Sequence, residues 1–245
     1  MKIFKQTLLI LLAFISLVAC DKNDGDSTNE IEIKASINAK WVVEGTSEFK
    51  SFEFNESGNY IVVMDNTVKS TAGPSILFGT YEYDNNQTVI LSDFGTLKLS
   101  DLGAENMTFI VELADGTVSD IILKASKKEE MESSEKTDLL CRSWNLISVN
   151  GASVEGTEEE LTVLFSKGGT YFVEFVNPAA EAEGGLSEWN WSTSNQTNID
   201  YLWNAYGEEG RGTFEIVELT DRSLKILEDF GDGESELSVL IPLKN

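Results

Sequence analysis

Apolar and polar positions alternate over short runs along most of this chain. Phe52-Glu53-Phe54 precedes the turn residues Asn55-Glu56-Ser57-Gly58, and Tyr60-Ile61-Val62-Val63 follows them, which is a hairpin pattern. Leu164-Phe165, the Lys167-Gly168-Gly169 turn and Tyr171-Phe172-Val173-Glu174-Phe175 repeat it. Leu97-Lys98-Leu99, Met107 through Leu113, Asp115-Gly116 and Val118 through Leu123 predict a closing meander. Leu224 through Leu227, Gly231-Asp232-Gly233 and Leu237 through Leu243 match it. Alternation of this kind belongs to strands buried on one face only. Helical turns are confined to 126–142 and 35–41, each just before a Trp. Gly95-Thr96 and Gly212-Thr213 are expected to introduce strands, with Gly at a bend or close backbone approach.

The pattern is written twice. One series runs Trp41, Phe54-x-x-x-Gly58-x-Tyr60, Tyr81-x-Tyr83, Asn86-Gln87-Thr88, Gly95-Thr96, Met107. The other runs Trp144, Phe165-x-x-x-Gly169-x-Tyr171, Trp189-x-Trp191, Asn195-Gln196-Thr197, Gly212-Thr213, Leu224. Phe to Tyr is 6 residues both times, and Gly-Thr to Met107 or Leu224 is 12 both times. Lengths between anchors differ, as when insertions accumulate in loops. Two units of roughly 100 residues follow, at 36–126 and 137–245, joined by a charged linker at 127–136. About seven or eight hairpin-linked strands per unit fit a sandwich or a closed up-and-down barrel. The short connections favour the barrel, whose closure removes exposed edges. The expected fold class is all-β, with two tandem small antiparallel barrels.

The first residues read differently. Lys2 and Lys5 precede an apolar run from Leu8 to Val18, and Leu17-Val18-Ala19-Cys20 follows, the order of a secretory signal. The run is about half of the roughly 20 residues that cross a bilayer as a helix. Leu17, Ala19 and Cys20 resemble the lipobox of bacterial lipoproteins. That resemblance implies cleavage after residue 19, acylation of Cys20 and a lipid anchor, most simply at the outer membrane. An ordinary secretory signal with an incidental Cys is the alternative. Residues 20–35 read as a polar tether. Its acidic start also resembles an export tag that places lipoproteins on the outer face of the outer membrane; a plain spacer accounts for it equally.

Composition narrows the function classes. The net charge is −24, and removing Lys2 and Lys5 with the signal takes it to about −26. Such a surface repels nucleic acid, which is bound through Lys and Arg. There is no His, so Ser-His-Asp and Cys-His catalysis and His-containing metal sites are excluded. With Cys20 acylated, Cys141 is the one remaining thiol, no internal disulfide forms, and its apolar neighbours make it a structural thiol.

The opening Trp, the F-x-x-x-G-x-Y hairpin, the aromatic-x-aromatic strand and the Gly-Thr strand resemble bacterial lipocalin-like domains, over both units. The resemblance implies small antiparallel barrels with a mouth at one end that admits a ligand, and it brings no catalytic residue. Tyr81 and Tyr83 stand where the second unit has Trp189 and Trp191, so the two units would not select the same ligand.

Trp189, Trp191, Tyr201, Trp203 and Tyr206 form the densest aromatic group. They read either as a platform for a sugar or apolar ligand or as core. Shared strand face and the matching Tyr81 and Tyr83 favour core for Trp189 and Trp191. Tyr201, Trp203 and Tyr206 belong to an insertion absent from the first unit and are the better ligand candidates. Glu228 through Glu236 is acidic but lacks calcium-loop spacing, so a solvated turn is expected and no metal. Nothing singles out a carboxylate pair for glycoside hydrolysis. The expectation is a non-enzymatic, lipid-anchored envelope protein without cofactor. It would bind a small apolar or amphiphilic molecule or a glycan; the alternative is a module of filled barrels that binds another envelope protein.

Overall fold

The computed structural model describes residues 37–65, 76–84, 87–119, 121–177, 185–205, 208–231 and 233–243. Cys20 and the tether lie outside the described residues. The first barrel is built in chain order from β1 (Lys40–Val43), β2 (Phe49–Phe54), β3 (Asn59–Met64), β4 (Ile76–Asp84), β5 (Thr88–Leu91), β6 (Gly95–Leu102), β7 (Asn106–Leu113) and β8 (Leu123–Lys127). Every neighbouring pair is antiparallel, and β8 closes onto β1 with Trp41 opposite Lys127. A short helix, α1 (Glu135–Leu140), leads into the second unit. There β9 (Ser143–Val149), β11 (Leu161–Phe165), β12 (Thr170–Phe175), β13 (Gly185–Trp191), β14 (Asn198–Ala205), β15 (Glu208–Leu219), β16 (Leu224–Asp229) and β17 (Ser235–Pro242) form a second antiparallel barrel. It closes through β9 and β17, with Trp144 opposite Pro242. The two-residue β10 (Ala152–Ser153) folds back on β9. The fold is therefore two eight-stranded barrels in tandem, all-β as the alternation predicts.

The repeat extends to hydrogen bonds. Trp41 Nε1 donates to the Ile37 carbonyl at 2.8 Å, and Trp144 Nε1 to the Leu140 carbonyl at 2.9 Å. The hairpins Phe54-to-Tyr60 and Phe165-to-Tyr171 turn on Gly58 and Gly169, at φ 82° and 77°, where a side chain would be strained. Tyr81 N then bonds the Gly58 carbonyl, and Trp189 N the Gly169 carbonyl. A bulge interrupts β6–β7 at Leu99 and β15–β16 at Ile216, the same place in each barrel. One expectation is corrected. Gly95 opens β6, but Gly212 lies within β15, because the insertion extends the β14–β15 hairpin. Four further pairs, Leu202 with Arg211 through Ala205 with Glu208, are added beyond Tyr201 and Gly212.

The barrels pack side by side. Ile61 and Val63, on the outer face of β3, are buried against Leu164 and Phe172 on the outer faces of β11 and β12, with the Phe78 ring tilted against Phe172 at 5.1 Å. Strands buried on both faces lose their alternation, which accounts for the unbroken apolar runs 60–63 and 163–165. Next to this patch, Lys40 and Glu53 face each other across β1 and β2, 8% and 5% exposed. Thr170, 1% exposed, reaches them from the second barrel. Lys40 Nζ donates to Thr170 Oγ1 at 2.8 Å, and Thr170 Oγ1 donates to a Glu53 carboxylate oxygen at 2.5 Å. Gly168 permits the contact: a Cβ there would stand 2.9 Å from Lys40 Cβ.

Candidate ligand-binding site

Each barrel has a plugged base. Ile37 and Leu140 sit fully buried beneath Trp41 and Trp144. Ser134 caps α1 by accepting from Thr137 N, and Thr137 Oγ1 accepts from Trp191 Nε1 at 3.0 Å. Lys136 Nζ donates to the Asn195 carbonyl at 2.8 Å, fastening the helix across the β13–β14 turn. Access to either interior is thus from the opposite end.

At that end the two barrels differ. Registers make Leu91 equivalent to Tyr201, because both pair with the repeat glycine, Gly95 or Gly212. They likewise make Val111 equivalent to Glu228, opposite Leu97 or Phe214, and Leu123 equivalent to Ser238, opposite Phe109 or Ile226. Leu91, Val111 and Leu123 are 2%, 1% and 6% exposed, so the first barrel is filled up to its rim. Phe49, Phe52, Phe94 and Phe109 complete that filling in edge-on contacts of 5.1 to 6.1 Å. In the second barrel Tyr201, Glu228 and Ser238 are half-buried, and so are Tyr171, Val173 and Ser187. The upper interior of the second barrel therefore meets solvent where the first is sealed.

The floor of this mouth is aromatic. Tyr201 lies 5.7 Å from Tyr171 and 5.6 Å from Phe214, ring centre to ring centre. Phe165 stacks on Tyr171 from below at 4.9 Å. Gly212 makes room for the Tyr201 ring, since a Cβ there would stand 2.2 Å from it. Tyr201 donates its hydroxyl proton to Glu228. Burial and the Glu228 carboxylate hold both tyrosine hydroxyls well above their usual pKa, so both stay neutral.

The predicted aromatic residues separate along the barrel axes. Trp189, buried, bonds the Ser166 carbonyl, and its counterpart Tyr81 reaches the matching Asn55 carbonyl. Both therefore sit at the plugged ends. Tyr83 is buried in the first core, and Trp191 is tied to α1. Among the described side chains of the set, Tyr201 alone is placed at the mouth. Trp203 follows two residues further along β14, opposite Ser187. Its side chain and all of Tyr206 lie outside the described residues. Tyr171 and Glu228 were not singled out from the sequence. The available signal was the inward series Leu224, Ile226, Glu228, in which the third position breaks the apolar pattern that Val111 keeps in the first unit. The stretch Glu228 through Glu236 does form a hairpin, but its first residue faces inward rather than into solvent.

A second concavity lies between the barrels. A cleft of about 950 Å³ is lined by charged and polar groups that include Lys40, Glu53, Asn55, Lys127, Arg142 and Lys167. Cys141 borders it, and burial pushes its thiol up to about 12. Because the thiolate is the reactive form, Cys141 should resist iodoacetamide at neutral pH until the chain is unfolded. Rapid alkylation of the native protein, read by mass spectrometry, would contradict that. No family model matches this chain, and no curated protein is significantly similar to it.

Proposed function

We propose that this chain is a non-enzymatic, lipid-anchored envelope protein of the lipocalin-like type. It is held at the outer membrane through Cys20 and binds a small amphiphilic ligand or glycan in the mouth of its second barrel. The observation that carries the reading is the contrast within the repeat: Leu91, Val111 and Leu123 fill one barrel where Tyr201, Glu228 and Ser238 line an open end of the other. Aromatic faces below and polar groups at the rim suit a ligand that is apolar at one end and hydrated at the other. The filled first barrel is the rigid partner, and it favours a supporting role for that unit.

Two measurements test this. In cells, Cys20→Ser should abolish incorporation of labelled palmitate and move the protein out of the membrane pellet; retained label would refute the anchor. In a binding screen of amphiphiles and oligosaccharides, Tyr201→Ala should weaken saturable binding by about tenfold, the scale of an aromatic anchor. Binding that is absent, or indifferent to Tyr201, would refute the mouth.

A further inference from the structure

We propose that the ligand of the second barrel carries a positively charged ammonium group, seated against the rings of Tyr171 and Tyr201 and between the carboxylates of Glu228 and Glu236. This rests on the mouth being the binding site and adds the charge of what it selects. Glu228 faces inward, as its bond to Tyr201 requires, and Glu236 stands directly opposite it in the β16–β17 register. Both glutamates therefore lie on the inner face near the rim. Like charges placed directly opposite each other in a sheet repel, at a cost to the pairing.

Among the described residues, no cation of this barrel is paired with either glutamate. Its strands contain only two, Arg211 and Lys225. Arg211 lies between Gly210 and Gly212 on β15, and since position 212 faces the Tyr201 ring, Arg211 takes the outer face. Lys225 is also outside, bonded to Glu218 at 2.8 Å. Among the described residues the partners of the two glutamates are hydroxyls: Tyr201 for Glu228, and Ser238, at 3.3 Å, for Glu236.

The aromatic floor points the same way. A ring face carries negative electrostatic character and attracts an ammonium group, most strongly where water is excluded. The two tyrosines are neutral, so they add this attraction without competing for a counter-ion. The first barrel supplies the contrast, because its equivalents of Tyr201 and Glu228 are Leu91 and Val111. A net charge of −24 further concentrates cations near the surface and disfavours anions. A neutral sugar could bond the same oxygens, but it would leave the carboxylate repulsion in place.

The test uses the full-length mature protein and three probes built on six-carbon chains with a cationic, a neutral or an anionic head: hexyltrimethylammonium, hexyl glucoside and hexanoate. Titration by calorimetry should show hexyltrimethylammonium binding about tenfold tighter than hexyl glucoside, the scale of a partly desolvated cation–ring contact. Hexanoate should be the weakest. Glu228→Gln should erase the advantage of the cation, weakening hexyltrimethylammonium about tenfold more than hexyl glucoside, with an unaltered circular dichroism spectrum. Should that variant not fold, Glu236→Gln, at a half-buried position next to the exposed Ser235, should reduce the same advantage. Equal or tighter binding of hexyl glucoside, with Tyr201→Ala still weakening it, would overturn the ammonium assignment and leave the mouth intact. If none of the probes binds in a way that Tyr201→Ala weakens, the mouth and the ammonium assignment fall together.

Discussion

Replacing Trp144 by Ala should lower the unfolding free energy by about 3–5 kcal/mol, and Trp41→Ala should do the same in the first barrel. Both indoles are fully buried, and each is the largest group at the base of its barrel. Each also donates its ring N–H to the carbonyl four residues earlier, in the segment that plugs the base. Truncation therefore opens a large cavity and strands that carbonyl, two costs that add at one place. Trp144→Phe separates them, since it keeps most of the apolar volume and loses the hydrogen bond. It should cost clearly less than Trp144→Ala. Urea unfolding followed by far-ultraviolet circular dichroism measures all three variants. A loss below about 1 kcal/mol for both alanine variants would show that the plugged base is not integral to the barrels.

The reason so much of this architecture is legible in the chain lies in the same anchors. Trp41 and Trp144 open the units because each closes a base. Gly58 and Gly169 recur because a positive φ is required there. The Gln of each Asn-Gln-Thr anchor also turns with positive φ, 59° at Gln87 and 54° at Gln196. Period-two alternation then identifies most strands, since one face of each meets solvent. What alternation does not convey is height along a barrel axis. Trp189, Trp191 and Tyr201 all read as aromatic positions on neighbouring strands, yet the first two belong to the base and the third to the mouth. Only their side-chain bonds place them: Trp189 and Trp191 reach Ser166 and Thr137 at the base, whereas Tyr201, paired with Trp189 in the register, reaches Glu228. The unbroken run Tyr60-Ile61-Val62-Val63 signals a strand covered on both sides, but what covers it lies in the other barrel. Distance in the chain hid the polar contact beside it as well, because Lys40 and Glu53 are separated from Thr170 by 130 and 117 residues.

That contact is the second place where one substitution should have a large effect. Glu53→Leu removes the carboxylate and leaves the Lys40 ammonium in a site that is 8% exposed, with the Thr170 hydroxyl as its hydrogen-bond partner in the interface. Burial already pulls the Lys40 pKa below its usual value, against the opposing pull of Glu53, so the charged amine is strained even in the native protein. Losing the counter-charge should cost about 3–5 kcal/mol, the range for breaking a buried ion pair from one side. Lys40→Met in the same chain should restore most of the loss. The double variant places two apolar side chains next to Ile61, Val63, Leu164 and Phe172, where the barrels already meet through apolar surface. A double-mutant cycle gives the coupling directly. If the clasp holds the barrels together, Glu53→Leu should also speed proteolysis within the 127–136 linker, and the double variant should slow it again. A Glu53→Leu protein as stable as the parent would mean that Lys40 escapes to solvent at no cost, and that the apolar patch alone joins the barrels.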